Sequence, residues 1–305
     1  MDTDKLKEKL KKVVPAILGV YILYLLALGL ISSPSGSAYE PQSLPSEATD
    51  QERARIMAEG VTHALAGQLD TLFGWLPNDL FFAPNIIDNT ANYQLGVIYA
   101  TRPASDIIAK TAARYGKNDK LPDLLVDATS RYFTYSEKAW GFWFLYDCEG
   151  KYRAGIRNWQ KWAESVGEGG KKAGVFNLKS DDIYDILKYC SNLTDYALGI
   201  LNNQPASHLE CDNNVYFVKG VCAVIGNVLR AVLAVDASVE ERGGRENVSE
   251  ALKRLDHIAK FSPLYVSAGG NDRGDAMLPN HVAALARHVD VANNRINDIM
   301  HSMEK

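Results

Sequence analysis

The chain has 305 residues, of which 47% are hydrophobic and 23% charged, the ordinary composition of a globular protein. Its formal net charge is −4, and because the first twelve residues hold five lysines and three acids, the rest carries about −6. With no long basic run in an acidic chain, nucleic acid is excluded as an expected partner.

The first predicted element is the uncharged apolar run Val13–Ile31. As a helix its nineteen residues span about 28 Å, close to the thickness of the hydrocarbon core of a bilayer. The lysines that precede the run, with no Lys or Arg after it until Arg53, predict a cytoplasmic N-terminus by the positive-inside rule. The sequence therefore predicts a tail at 1–12, a transmembrane signal-anchor in the bacterial inner membrane at 13–31, and an exported, periplasmic remainder.

A cleaved secretory signal is the alternative for the same segment. Gly36-Ser37-Ala38 offers the small residues that a signal peptidase needs. The apolar run is, however, longer than the roughly 7–15 residues of a signal-peptide core. We therefore favour an uncleaved anchor, with the lipid bilayer as the partner of Val13–Ile31.

Residues 32–48 are rich in Ser and Pro, which predicts a tether that holds a domain off the membrane. In the domain at 49–305, a period of 3.6 residues predicts an all-α bundle of about seven or eight helices. The expected helices are Thr49 or Asp50 to about Leu72, Asn92 to Gly116 with Pro103 as the place for any kink, Leu121 to Tyr135, Glu149 to the Gly-rich stretch after Val166, Asp181 onwards, Val215–Val235, Glu246–Phe261, and Asn280 or His281 to Met303.

Three stretches of the domain are expected to be non-helical. Residues 73–97 are aromatic and interrupted by prolines, and we interpret their first part as a crossover packed on the domain. Trp140–Tyr146 is expected to form a small extended aromatic segment, a lone strand or hairpin. Residues 204–214 are expected to form a polar connector.

The run Val215–Val235 is apolar enough to suggest a second membrane span. It contains Lys219, Asn227 and Arg230, and a Lys or Arg inside a bilayer is costly. We therefore predict that it is the central core helix of the exported domain.

The four cysteines are Cys148, Cys190, Cys211 and Cys222. An even number in an exported region allows up to two disulfides, and buried free thiols are the alternative. No CxxC pair is present, so neither a redox motif nor a zinc knuckle is predicted.

No catalytic, cofactor or metal site is predicted, and we lean against an enzyme. The sequence lacks HExxH and GxSxG, and His281 and His288 lie two helical turns apart, too far to grip one metal without help. The remaining histidines, His63, His208, His257 and His301, show no ligand spacing.

One loop has the composition of an anion site. Its glycines precede a helix N-terminus, where backbone N–H groups can face an anion, and an arginine lies nearby. The candidate residues are Gly269, Gly270, Asn271, Arg273, Asn280 and His281. A flexible connection between two helices is the alternative, and we favour it.

Several segments together resemble an uncharacterised family of bacterial membrane-anchored proteins, domain of unknown function 2333 (DUF2333). They are Leu76-Pro-Asn-Asp79, Asn92-Tyr-Gln-Leu-Gly-Val97, Glu149-Gly-Lys-Tyr-Arg-Ala-Gly-Ile156, Asn280-His281 and Ala292-Asn-Asn-Arg-Ile-Asn-Asp298. Val282 departs from the serine that the family has after Asn-His. The resemblance implies one N-terminal membrane helix and an exported domain, and it implies no activity.

The predicted function is a single-pass inner-membrane protein whose periplasmic domain is an accessory or scaffold subunit of a cell-envelope complex, with protein partners there. A ligand-binding or sensory module, using the loop at 269–275 or the crossover at 73–97, is an alternative. A hydrolase of cell-wall or polysaccharide substrates is a more remote one and would need two carboxylates facing each other in a cleft.

Overall fold

The computed structural model describes residues 3–304 except 32–33, 35, 46, 79–87, 117–118, 142–146, 168–173, 204–207, 263–265 and 267–281. In these residues the chain forms ten α-helices and no strand, with one isolated bridge between Val166 and Gly174. The fold is therefore all-α, as predicted. The helices are α1 (Thr3–Ile31), α2 (Asp50–Leu69), α3 (Asn89–Ala112), α4 (Asp123–Asp127), α5 (Cys148–Ser165), α6 (Ser180–Asn202), α7 (His208–Val235), α8 (Ser238–Gly243), α9 (Arg245–Lys260) and α10 (Val282–Ser302).

Local signals placed several helix ends correctly. Thr49 is the N-cap of α2, where its hydroxyl accepts from the Glu52 N–H at 3.2 Å and its own N–H donates to the Glu52 carboxylate at 2.8 Å. This reciprocal pair satisfies two N–H groups that the helix itself leaves without partners. The apolar face predicted for α6 is also confirmed, since Ile183, Ile186, Leu187, Cys190 and Leu193 are buried.

Two boundaries differ from the prediction. Helix α7 begins at His208, so the polar connector expected at 204–214 is wrong for its described part. The buried residues Cys211, Val215 and Val218 continue the helical spacing backwards through the polar stretch. The helix expected from Leu121 to Tyr135 is the short α4 followed by a π-helical turn at Ala128–Tyr132. Most of the expected strand at 140–146 lies outside the described residues.

Helix α7 is the centre of the bundle, as predicted, and contacts α2, α3, α6, α8 and α9. It crosses α3 where glycines allow the two backbones to approach closely. A Cβ atom placed on Gly220 would lie 2.2 Å from the Tyr93 carbonyl oxygen, and one on Gly96 would lie 2.0 Å from that of Phe217. Helix α5 covers α2 on one side of the bundle, and α10 packs on α6 and α9 on the other.

Helix α1 projects its apolar side chains outward, and only its C-terminal end touches the bundle. Leu28 is buried against Leu76 and Ala91, and the ring of Tyr24 meets that of Phe73 edge-on at 6.2 Å. The described part of the linker lies along the domain: Tyr39 is buried, and its N–H donates to the Asn227 Oδ1 at 2.9 Å. Part of the predicted tether is therefore packed on the bundle.

All four cysteines are free and buried. Burial raises the pKa of the Cys148, Cys190 and Cys222 thiols to about 12 and that of Cys211 to about 11. They pack as small apolar side chains, the alternative that the sequence left open.

Candidate functional site

The anion loop predicted from sequence lies outside the described residues. This holds for all six of its candidates: Gly269, Gly270, Asn271, Arg273, Asn280 and His281. The helices on either side are described, because α9 ends at Lys260 and α10 begins at Val282. The candidate site is therefore built from these two helices.

A surface groove of about 370 Å³ runs between α9 and α10. One wall of the groove is a face of α9, because residues three, four and seven apart lie on the same face of a helix. On α9 that face presents basic side chains, and α10 adds a histidine from the opposite side. The lining residues are Lys253, Arg254, Asp256, His257, Lys260, Phe261 and His288.

Two histidines meet in this groove. The ring centroids of His257 and His288 are 4.1 Å apart, and their planes are inclined by 31°. Arg254 Nη1 lies 2.9 Å from His288 Nδ1, and because a guanidinium only donates, Nδ1 must accept. Burial lowers the pKa of His288, and the positive charges of His257 and Arg254 lower it further. His288 therefore accepts from Arg254 through Nδ1, and its pKa lies below the ordinary value of a histidine.

Cations outnumber carboxylates around the groove. Glu250 pairs with Arg254 at 2.5 Å and more loosely with Lys253 at 4.0 Å. Asp256 is shared between Arg230 at 2.7 Å and Lys260 at 3.5 Å. Four cations against two carboxylates leave a local excess of positive charge on a chain whose net charge is −4. Such a groove favours an anionic ligand.

A buried lysine lies behind the groove. Lys219 of α7 is 0% exposed, and its Nζ has no hydrogen-bond partner among the described residues. Its ammonium lies 4.8 Å from the centre of the Tyr216 ring, within cation–π range. The small cavity beside it has no room for a water molecule and is lined by apolar side chains: Leu201, Val215, Val218, Ile258, Phe261 and Leu285. Burial lowers the pKa of Lys219 to about 8.

A pair of carboxyl groups lies where α3 and α7 begin. Burial raises the pKa of Asp88, and burial together with the charge of Asp88 raises that of Asp212. The neighbouring amides are joined, since Asn92 Nδ2 donates to Asn213 Oδ1 at 2.9 Å.

No group of three His, Cys, Asp or Glu side chains in the described part of the chain is placed to hold a metal ion.

Sequence reasoning missed the groove, although a signal for it existed. Lys253, Arg254, His257 and Lys260 fall on one face of a strongly amphipathic helix, and such charged faces are usually solvated surface. What distinguishes this face is His288, which comes from a helix that begins more than twenty residues later. No local sequence pattern shows that His288 of α10 lies beside His257 and Arg254 of α9.

Residues 5–204 match the model of a family described as an uncharacterized protein conserved in bacteria, DUF2333. The match spans about two thirds of the chain, and the chain belongs to this family, as its motifs predicted. The motifs at Asn280-His281 and Ala292–Asp298 lie beyond the matched range. No curated protein and no solved structure matches the chain.

Proposed function

We propose that this chain, as a member of DUF2333, is a single-pass inner-membrane protein whose periplasmic helical domain is an accessory or scaffold subunit of a cell-envelope complex. The observation that carries the proposal is the environment of α1. Its candidate span, Lys7–Leu28, is long and apolar enough to cross a bilayer, and among its described side chains the bundle buries only that of Leu28, at the end of the span. Exposed apolar surface of this size needs a lipid or protein environment.

The packing at the end of α1 favours a retained anchor over a cleaved signal. Tyr24 and Leu28 contact Phe73, Leu76 and Ala91 of the domain. Cleavage after Ala38 would remove these contacts and expose the apolar side chains that they cover. The five lysines between Lys5 and Lys12 favour a cytoplasmic location for the N-terminal end of α1.

An exposed aromatic patch supports a scaffold role. The rings of Tyr99 and Tyr196 are stacked with centroids 4.9 Å apart, and Phe217 lies 5.4 Å from Tyr99. Both tyrosines are exposed on the surface of α3 and α6. Tyrosine is enriched at the centres of protein interfaces, so this patch is the proposed contact for a protein partner.

The test combines topology mapping with cross-linking. Reporter fusions at the two ends of the chain should place the N-terminus in the cytoplasm and the C-terminus in the periplasm. Cross-linking in cells, followed by purification in mild detergent, should yield a defined partner that is lost in the double variant Tyr99→Ser/Tyr196→Ser. The matched control is Tyr115→Ser, an exposed tyrosine beyond the end of α3. A wild-type protein that remains alone under cross-linking contradicts the scaffold role.

A periplasmic ligand-binding module is the second candidate, and the groove between α9 and α10 favours it. Inorganic phosphate or citrate, titrated into the full chain in detergent, should raise its melting temperature. Arg254→Gln should abolish the shift, whereas Lys110→Gln, an exposed residue of an ion pair on α3, should retain it. A shift that is equal in both variants contradicts a specific site.

A further inference from the structure

We infer that the domain is seated on the bilayer itself, with Leu72 and Phe73 at the depth of the lipid, rather than held away from the membrane by its linker. The inference rests on the proposed membrane span of α1. It adds a second contact with lipid, made by the turn between α2 and the 3₁₀ turn at Leu76–Asn78.

The length of α1 sets the depth of Tyr24 and Leu28 in a bilayer. The candidate span Lys7–Leu28 is about 32 Å long as a helix. A hydrocarbon core is about 30 Å thick, so a span that fills it places Leu28 at the outer edge and Tyr24 about one helical turn below that edge. The domain residues that pack on them, Phe73 and Leu76, then lie at the same depth.

Only one face of α1 is covered at this level. Tyr21, Tyr24 and Leu28 are partly or fully buried at helical spacing, whereas Leu23 and Leu26 on the opposite face are exposed. The exposed face needs lipid at the level where the covered face meets protein. The bilayer and the domain therefore share the last turns of α1.

Leu72 continues this apolar surface onto the domain. Its side chain is 77% exposed, more than any other large hydrophobic side chain described, including those of α1. It directly precedes Phe73, which packs on Tyr24. An exposed leucine beside a membrane helix gains about 1.5–3 kcal/mol when lipid covers it. Lipid is thus the occupant that fits this surface.

Charged residues set the limit of the penetration. Asp70, at the end of α2, pairs with Arg153 at 2.6 Å, and Arg153 also pairs with Glu149 at 3.1 Å. Asp70 lies two residues before Leu72, and a Cβ atom on Gly74 would lie 3.0 Å from Glu149 Oε2, so this charged cluster is next to the turn. Charged side chains suit the headgroup region and not the hydrocarbon. Tyr24, one turn below the end of the span, has the aromatic character of a membrane interface. The seat is therefore interfacial, with Leu72 at the boundary between headgroups and acyl chains.

The linker has little freedom to lift the domain. Leu28 is already packed on the bundle, and the chain is fixed again at Tyr39 by its bond to Asn227. A segment pinned to the domain at both ends cannot serve as a long spacer between the domain and the membrane.

The test measures lipid exposure at three positions of the full chain in vesicles of phosphatidylethanolamine and phosphatidylglycerol. Single substitutions Val14→Cys, Leu72→Cys and Tyr115→Cys receive a nitroxide label, and the four native thiols are buried and react slowly. All three wild-type side chains are exposed, so the labels should not disturb the fold, and circular dichroism verifies this. Helix α3 carries the chain about 32 Å from Ala91, which packs on Leu28 of α1, to Ala112, three residues before Tyr115.

The label at each position is measured for its collision rate with oxygen, which partitions into lipid, and with a water-soluble nickel chelate. A high ratio of the oxygen rate to the nickel rate is lipid-like, and a low ratio is aqueous. We expect lipid-like ratios at Val14 and Leu72 and an aqueous ratio at Tyr115. A lipid-like ratio at Val14 with an aqueous ratio at Leu72 contradicts contact between the domain and lipid, and it leaves the proposed anchor intact. An aqueous ratio at Val14 contradicts both the anchor and the contact of the domain with lipid. Lipid-like ratios at all three positions contradict a seat confined to one end of the domain.

Discussion

Helices α1 and α7 are alike in sequence and opposite in environment. Their candidate spans, Lys7–Leu28 and Cys211–Val235, have the same mean hydropathy and lengths that suit a bilayer. Of the most apolar eighteen residues in each span, the bundle buries none in the first and 78% in the second. Hydropathy alone therefore does not distinguish a membrane anchor from a core helix.

The difference lies in small and polar residues. Gly220 lets α7 cross α3 at backbone contact, and Asn227 accepts a hydrogen bond from the linker. Gly19 in α1 has nothing within 4 Å of where its Cβ would be. A core helix carries features that fit specific neighbours, whereas a helix that faces lipid needs only to be apolar.

The largest effect is expected from a substitution at Gly220, with Gly19 as the matched control. Gly220→Ala places a methyl group 2.2 Å from the Tyr93 carbonyl oxygen, so α7 and α3 must separate. We expect a loss of about 3 kcal/mol or more in the free energy of unfolding. The matched change Gly19→Ala should cost nothing. Urea unfolding of both variants in detergent measures this, and equal stabilities would refute the close crossing.

A charge in α1 should prevent insertion. Ile22 is at the middle of the apolar run, where an arginine disfavours insertion by about 2.5–3.5 kcal/mol. Ile22→Arg should release a large fraction of the protein from membranes on alkaline carbonate extraction, whereas Ile22→Ala should remain in the pellet. An Ile22→Arg protein that resists extraction as well as the wild type would contradict the span.

Replacement of the buried Lys219 of α7 by an apolar residue should stabilise the protein, in contrast to the disruptive charge added to α1. Lys219 is buried in apolar surroundings that lower its pKa from 10.5 to about 8, so Lys219→Met should stabilise the domain by about 2 kcal/mol at pH 7, after allowance for the lost contact with Tyr216. Between pH 8 and 10.5 the unfolded chain binds more protons than the folded one, so wild-type stability should rise with pH. Unfolding measured at pH 7 and pH 9.5 should show this rise in the wild type and its absence in Lys219→Met. A destabilised Lys219→Met would mean that the ammonium has a partner.

The smallest effect concerns the polar contact of α7 with the linker. Asn227→Leu leaves the buried N–H of Tyr39 without an acceptor, at a cost of about 1–2 kcal/mol. Limited proteolysis should then cut the linker faster. Tyr39→Phe retains the N–H bond and loses only the hydroxyl contact with Glu59, so it serves as the control. Unchanged proteolysis in Asn227→Leu would show that the linker is held elsewhere.

The sequence by itself determined the helical class, the N-terminal apolar helix as a candidate membrane span, the choice of α7 as core helix, the Thr49 cap and the family. These depend on spacing and chemistry within a few residues, which the chain shows directly. The candidate site was less accessible. The predicted loop at 269–281 lies outside the described residues, and the groove beside it combines one face of α9 with His288 of α10.

The tertiary structure alone decided what each apolar or charged residue contacts. It buried Lys219 beside Tyr216, kept four cysteines as free thiols, fixed Tyr39 on Asn227 and packed Leu28 against the domain. Each of these contacts, apart from Lys219 with Tyr216, depends on elements that are distant in sequence. Burial is a property of the crossing between two helices, and the residues of one helix do not reveal which other helix they will meet.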